Sequence, residues 1–506
     1  MIFKLKKRDI NKALIFKFFL YCFLGAVFLG LLFEFKVWVS YLFLVFNLVV
    51  LFFGHKNKKI LLLFFSFLGI FLGWWLTAKE VSKIFPREEV GFSSLSYISQ
   101  EPEMSDEYQK IIICPIEIKL ENNKKTMEPI CAEKILVFDS LGVNYNFGEI
   151  IKVSCQLKNP ENKHNKFNYI NFLAKDNIYQ ICQNQKINRI NNIDLELGIF
   201  YKVKTFFYRQ IFKIKTNFEN KINISFSFPE SAYLAGLLLG GENRLPLEIQ
   251  ENFRKTGTTH TIAVSGFNIT VLASFFMFLG VLIGFYRQKA FWLAVLGIIF
   301  FVLMIGSPSS AVRAAIMGIL ILWASKKGRL IDSVQIIILA GALMIAFSPL
   351  ILLYDVGFQL SFLASLGIVL VYAPLSERFN IRNDFLELKS ILLVTISAQL
   401  GVMGILLYTF ETFSPISLLA NLIILPIIPL LMLTGFITVT IAFLNPLLAN
   451  FFALPTQLAL KLEISIIEKL AEISWSSLEI GDIGILGLVI YYIFFFLVVV
   501  FLKNKT

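Results

Sequence analysis

The chain has 506 residues, of which 57% are hydrophobic and 53 are phenylalanine. Apolar stretches long enough to cross a hydrocarbon core of about 30 Å recur along it, which excludes a water-soluble globular protein. The formal net charge is +12, and many basic residues lie in short loops between apolar stretches, where they orient a membrane protein. We therefore predict a polytopic α-helical membrane protein.

Residues 1–78 predict an N-terminal transmembrane segment of about three helices. Apolar stretches cover 13–33, 37–53 and 60–78, with basic residues before the first and between the second and third. The first stretch is too long for a cleaved signal peptide, and a second follows at once. Because basic loops stay in the cytoplasm, the N-terminus is expected there and residues 79–228 outside.

Residues 79–200 predict an extracytoplasmic β-rich domain inserted into the membrane protein. Short runs of alternating apolar residues are separated by polar turns and accompanied by one helical run at 167–174. The strand-like runs are 111–120, 134–138, 149–157 and 178–182. Four or five short strands with one helix favour an OB-like barrel.

Four of the five cysteines fall in this domain, namely Cys114, Cys131, Cys155 and Cys182. An even set in an oxidising compartment favours one or two disulfides, and four buried thiols on strands are the alternative. There is no CxxC pair, so a zinc site is not expected.

Residues 201–228 predict an amphipathic helix at the membrane surface. Its apolar residues Val203, Phe207, Ile211, Ile214 and Phe218 recur at helical spacing, and its basic residues lie mostly elsewhere. A basic strip for nucleic-acid phosphates is the alternative.

Residues 229–506 form the main predicted membrane region. The predicted spans are 260–285, 290–305, 311–325, 331–347, 356–373, 391–410 and 484–502. Pro426 and Pro429 are expected to break the apolar run 414–445 into half-helices. The amphipathic stretch 458–475 suits an interfacial position, so the number of spans after residue 410 stays open.

The polar string 256–268 is unusual because it opens an apolar span. Polar groups within a membrane are tolerated where they face protein or a water-filled path. We predict that it lines a translocation path, and the alternative is that its groups satisfy each other in a helix contact. The candidate lining residues are Thr256, Gly257, His260, Ser265, Gly266 and Asn268.

Four polar residues farther along are further candidates for the path. Arg313 can bind phosphate or extend to the membrane interface. Asp355 and Gln359 share a helix face, and Asp355 could pair with Arg313. Asn421 lies before the two prolines and can line a broken helix or join a polar helix contact.

Several motifs, in order, resemble the ComEC competence family. They are Leu-Leu-Leu-Gly-Gly-Glu-Asn-Arg-Leu-Pro at 237–246, the segments 256–266, 309–317, 355–364 and 420–426, and 167–178 at the end of the external domain. The resemblance implies that residues 229–506 are a competence-type channel domain in the bacterial cytoplasmic membrane. It implies uptake of single-stranded DNA during natural transformation.

The resemblance also implies partners. These are single-stranded DNA, the lipid bilayer, a separate DNA receptor, a nuclease, a cytoplasmic translocase and a second copy of the chain. Longer family members carry a C-terminal metallo-β-lactamase-like domain, which we do not expect here. The only histidines are His55, His164 and His260, so no HxHxDH box can form. We therefore expect no metal, no cofactor and no enzymatic activity; Asn268 also replaces a second family histidine.

Two other functions compete with DNA uptake. A secondary transporter or exporter of another solute would use the external domain as a binding module, and would show inverted repeats that the sequence does not reveal. A membrane hydrolase would depend on His260 and Ser265, a pair without a convincing orienting acid.

Overall fold

The structure is a computed structural model. The residues it describes are 12–33, 40–41, 43–45, 58–104, 108–121, 124–129, 131–140, 143, 145–162, 167–189, 196–241, 244–262, 264, 266–326, 332–379 and 388–504. Most of the predicted span 37–53 lies outside these ranges, and so does Ser265.

The chain forms two compact units. The first comprises Met1–Glu88, Asn159–Tyr179 and Val334–Gln359. The second comprises Glu89–Lys158, Gln180–Ser333 and Leu360–Thr506.

The first unit is built on two apolar helices, α1 (Lys12–Phe33) and α2 (Lys58–Val81). They pack closely because small residues face the contact: a Cβ at Gly73 would lie 2.5 Å from the carbonyl oxygen of Phe23. The unit also contains the short helices α3 (Tyr169–Ala174), α10 (Ser333–Phe347) and α11 (Ile351–Tyr354).

The second unit contains a closed five-stranded barrel. Its strands are β1 (Gly91–Ile98), β3 (Tyr108–Glu121), β5 (Lys134–Ser140), β6 (Ile150–Lys158) and β7 (Ile178–Arg189). They pair in the order β1–β6–β7–β5–β3, and β3 pairs again with β1. This is the strand order of an OB-type barrel, so the predicted fold class is confirmed. Shorter strands β2 (Glu103–Met104), β4 (Lys124–Pro129) and β8 (Glu196–Leu197) extend the sheet.

Helix α4 (Ile199–Ser225) joins the barrel to the membrane helices of the same unit. In its first half, the hydroxyls of Tyr97 and Thr205 share a hydrogen bond of 3.1 Å, and burial raises the pKa of Tyr97. In its second half, the rings of Phe218 and Phe436 lie 6.0 Å apart. The helix therefore holds the barrel at a fixed position against the membrane core.

The outer face of α4 is apolar and exposed. Val203, Phe206 and Phe207 on this face are all more than half exposed. Exposed apolar side chains on an amphipathic helix are typical of contact with the membrane surface. Ile211 is instead buried, because the same helix also packs against the protein.

The remaining helices form the rest of the membrane region. They are α5 (Glu230–Leu239), α6 (Leu247–Lys255), α7 (Gly266–Leu282), α8 (Arg287–Met304), α9 (Ser309–Lys326), α12 (Val356–Gly367), α13 (Ala373–Arg378), α14 (Leu388–Phe410), α15 (Ser417–Ile424), α16 (Ile428–Leu444), α17 (Pro446–Ala471) and α18 (Gly484–Asn504). A π-helical turn, Ile368–Tyr372, connects α12 to α13.

Seven helical segments of the described residues are long and apolar enough to cross a membrane, and one of them, Val356–Arg378, comprises α12, the π-helical turn and α13. Helices α15 and α16 meet at a bend of 44° and together pass the same test, which confirms the break predicted at Pro426 and Pro429. The stretch 458–475 is not a separate interfacial helix. It is the second half of α17, which is 26 residues long and contains Pro455 without interruption.

Candidate functional site

The polar string folds as a tight turn between α6 and α7. Thr256 follows the last residue of α6, and Gly257 adopts a φ of +67°. A single 3-10 turn, Thr259–Thr261, then leads towards α7. The positive φ explains why a glycine stands at position 257, since other residues rarely adopt it.

The threonines of the turn bond to the protein itself. Thr256 and Thr258 are both 0% exposed, and their hydroxyl oxygens lie 2.8 Å apart. The Thr256 hydroxyl also donates to the carbonyl oxygen of Asn252 at 2.9 Å, and Thr261 donates to that of Thr258 at 2.7 Å. These hydroxyls satisfy each other and the backbone.

A pad of polar residues supports the turn from the start of α15. The Ser414 hydroxyl lies 2.7 Å from the carbonyl oxygen of Lys255, and the Ser417 hydroxyl donates to the carbonyl oxygen of Ser414 at 2.6 Å. The amide of Gln399 donates to the Ser417 hydroxyl. A Cβ at Gly257 would lie only 2.8 Å from the Cβ of Ser417, so the turn and the pad are in direct contact.

The opposite side of the turn is open. His260 is an exposed residue, and so is Gly266 at the start of α7. A Cβ at Gly266 would lie 4.0 Å from the Cβ of Ala314, so α9 passes close to this side. The turn therefore has a packed side, which holds its shape, and an accessible side.

Asn268 anchors the beginning of α7. It is buried, and its side-chain amide donates to the carbonyl oxygen of Leu237 at 3.0 Å. Leu237 belongs to α5, where the Leu-Leu-Leu-Gly-Gly segment begins. The structure thus gives Asn268 a positioning contact between α5 and α7.

Arg313 is buried in α9 rather than extended to a surface. Its side chain is 6% exposed, and its guanidinium carbon lies 5.6 Å from the ring centre of Phe362. A guanidinium at this distance from an aromatic face is stabilised by a cation–π interaction. A planar cation on α9 is well suited to phosphate oxygens.

Asp355 and Gln359 bond within the first unit. The carboxylate of Asp355 accepts from the ammonium of Lys175 at 2.6 Å and from the backbone N–H of Phe358 at 3.0 Å. The Gln359 amide donates to the carbonyl oxygen of Leu353 at 2.9 Å. The ionic partner that the structure gives Asp355 is therefore Lys175, a residue that sequence reasoning did not consider.

Asn421 is buried in α15, at the first half of the broken span. Among the described residues, none forms a hydrogen bond with its side-chain oxygen. Buried amide oxygens usually have a partner, so this oxygen is available to one.

Charged residues are distributed unevenly over the strands of the barrel. Strands β1, β6 and β7 carry Lys152, Lys158, Lys186 and Arg189 and no acidic residue. Arg189 pairs with the buried Ile151 and lies 3.0 Å from the Glu149 carboxylate, so it does not belong to the outer face. Ser154 pairs with Lys186, and Lys152 pairs with Asn188 on the neighbouring strand, so these exposed side chains share one face. Strands β2 to β5 carry acidic and basic residues together, including Glu103 and Asp139.

The four barrel cysteines form two disulfides, Cys114–Cys131 and Cys155–Cys182. The second pair links β6 to β7, the strands that carry Lys152 and Lys186. Among the described residues, no three His, Cys, Asp or Glu side chains are grouped so that they could hold a metal ion.

A family model described as Competence protein matches residues 237–505. The chain belongs to the competence protein family. It is 27% identical over 270 residues to ComE operon protein 3 of Bacillus subtilis (strain 168), across 53% of this chain and 32% of that relative. The alignment thus spans about a third of the length of the relative. No solved structure matches the chain.

The competence-family region contains the turn, its serine pad, Arg313 and Asn421. It also contains a buried acid that sequence reasoning missed, Glu463 of α17, which is 0% exposed. The sequence could have indicated that Glu463 is buried. Successive residues of an α-helix are rotated by about 100°, so Glu463 lies about 200° from Lys461, on the side of the helix opposite its polar residues.

Proposed function

We propose that this chain is a conduit through which single-stranded DNA crosses the bacterial cytoplasmic membrane during natural transformation. The proposal rests on the two-sided turn at 256–268, which lies in the region that matches the competence family. One side of the turn is fixed by hydroxyl contacts, and the other presents His260 and Gly266. The proposed role is transport, not catalysis.

A DNA strand needs donors along its path because each phosphate carries a charge that hydrocarbon cannot solvate. The imidazole of His260 and the backbone at Gly266 can donate to phosphate oxygens. Arg313 on the adjacent α9 supplies a positive charge with the fork geometry that phosphate prefers. We assign these three residues to the strand, and we assign Thr256, Thr258 and Asn268 to the support of the turn.

The barrel is proposed to lie outside the cell and to receive the strand on its β1–β6–β7 face. Lys152 and Lys186 are exposed there, with Ser154 and Asn188 paired to them on the neighbouring strands. A cationic groove that follows the backbone is one component of sequence-independent single-strand binding. Helix α4 then fixes the distance from this face to the membrane core.

The test is the uptake of labelled DNA by competent cells in which the gene is replaced by variants. We expect Arg313→Ala and His260→Ala to reduce the number of transformants by at least tenfold, with the chain still present in the membrane. Such a loss corresponds to about 1.4 kcal/mol or more of lost interaction. Arg254→Ala is the matched control, since Arg254 is exposed and lies in the last turn of the helix before the polar string.

Normal uptake in cells without the gene would overturn the proposal. Normal uptake in the double variant of His260 and Arg313 would place the path elsewhere in the molecule. A loss of transport of another solute, with DNA uptake unchanged, would favour a secondary transporter.

A further inference from the structure

Glu463 lies in an environment where an ionised carboxylate is costly. It is 0% exposed and belongs to α17, one of the helices long and apolar enough to span a membrane. Its neighbours on the helix, Leu460, Ile464 and Ile467, belong to a buried apolar cluster. An acid at such a position is neutralised by a partner or by a proton.

No cation supplies that partner among the described residues, where Glu463 has no ion pair. The helices α15 and α16, which pack against α17, contain no charged residue. On α4 and α6, Lys215 is paired with Glu101, Glu219 with Arg244 and Arg254 with Glu251. The titratable group that lies near the Glu463 carboxyl is the phenol of Tyr233 on α5.

Tyr233 connects the acid to the turn. Its hydroxyl lies near both the Glu463 carboxyl and the side chain of Thr261, and among the described residues it is a buried hydroxyl without a hydrogen-bond partner. Thr261 donates to the carbonyl oxygen of Thr258 at 2.7 Å and directly follows His260, an exposed residue. Two buried hydroxyls thus lead from the Glu463 carboxyl into the polar turn.

We propose that Glu463 is a proton-binding site of the membrane core, loaded and unloaded through Tyr233 and Thr261 by way of the polar turn. On release, the carboxyl O–H bond breaks and its proton binds the Tyr233 oxygen. The original proton of Tyr233 passes to Thr261, and that of Thr261 passes to water. One carboxylate and one hydronium result, and both hydroxyls are neutral again. The site does not depend on DNA as the substrate.

Infrared difference spectroscopy of the full chain in lipid nanodiscs tests this site. In wild type we expect the carbonyl stretch of a protonated carboxylic acid, which shifts when H₂O is replaced by D₂O. Glu463→Gln should remove this band. Glu472→Gln is the matched control, because Glu472 is exposed just after the same helix, and it should leave the band unchanged.

The Tyr233→Phe variant tests whether Tyr233 passes protons to and from Glu463 or only packs against it. It should keep the band but slow its shift in D₂O, because the phenyl ring cannot pass a proton. If Glu463→Gln does not fold, Glu463→Asp is used instead. It keeps an acid at the site and should change the frequency of the carbonyl band. A band that survives in every Glu463 variant would overturn the proposal. Unchanged exchange in Tyr233→Phe would overturn the relay.

Discussion

The ammonium of Lys175 lies 2.6 Å from the carboxylate of Asp355, and the two side chains are only 11% and 6% exposed. Lys175 follows α3, and Asp355 lies between α11 and α12. The Lys175 ammonium also lies 4.1 Å from the ring centre of Phe172, and the Ser348 hydroxyl donates to the Lys175 carbonyl oxygen at 3.2 Å. Segments 180 residues apart are thus joined within one compact unit.

Removing one charge of this pair should destabilise the protein. Asp355→Asn keeps an acceptor for the backbone N–H of Phe358 but leaves the Lys175 ammonium unpaired. An uncompensated buried charge costs about 3–5 kcal/mol, so we expect a clear fall in the thermal unfolding temperature in nanodiscs.

The exposed pair Lys110–Glu103 is the control for this prediction, with an N–O distance of 3.0 Å. Glu103→Gln should change stability by no more than about 1 kcal/mol. Equal effects of Asp355→Asn and Glu103→Gln would show that the Lys175–Asp355 pair is not buried in the folded protein.

Gly257→Ala should destabilise the turn for two reasons, the positive φ and the contact with Ser417. Gly284→Ala isolates the first reason, because Gly284 has a φ of +90° and nothing within 4 Å of its position for a Cβ. We therefore expect Gly257→Ala to lower the unfolding temperature more than Gly284→Ala. Equal effects would mean that the serine pad does not press against the turn.

The disulfides should appear as two defined pairs. Peptide mapping of the non-reduced protein from the membrane should recover Cys114 with Cys131 and Cys155 with Cys182. The bridges require an oxidising compartment, so this result would also support the external position of the barrel. Four free thiols in protein alkylated before lysis would contradict both expectations.

The cationic barrel face should bind single-stranded DNA without sequence preference. Reversing charge with Lys152→Glu and Lys186→Glu in the full chain should weaken binding of an oligonucleotide and flatten its dependence on salt. Lys134→Glu on β5 is the control on another strand. If it weakens binding as much as the double variant, the β1–β6–β7 face is not the binding surface.

The sequence predicted the barrel class but not all of its strands. The four apolar runs correspond to β3, β5, β6 and β7, which extend beyond the predicted bounds. Strand β1 was missed because Ser93, Ser94 and Ser96 hide its alternation, yet it pairs with both β3 and β6 and closes the barrel. Closure depends on partners distant in sequence, which a local pattern does not show.

The sequence also located the turn but not the roles of its residues. Hydroxyl groups in one string can line a path or bond to each other. Only the structure shows that Thr256 and Thr258 bond to each other and to the carbonyl oxygens of Asn252 and Phe253. The sequence likewise does not show that Lys175 is the partner of Asp355 or that Tyr233 lies near Glu463, because the residues of each pair are far apart in the chain.

Photo-crosslinking in competent cells tests the central claim most directly. A photoreactive amino acid is placed at position 260 on the open side of the turn, or at 258 on its packed side, and labelled single-stranded DNA is followed during uptake. A conduit along the open side predicts DNA adducts at 260 and none at 258. Efficient uptake without any adduct at 260 would contradict the conduit.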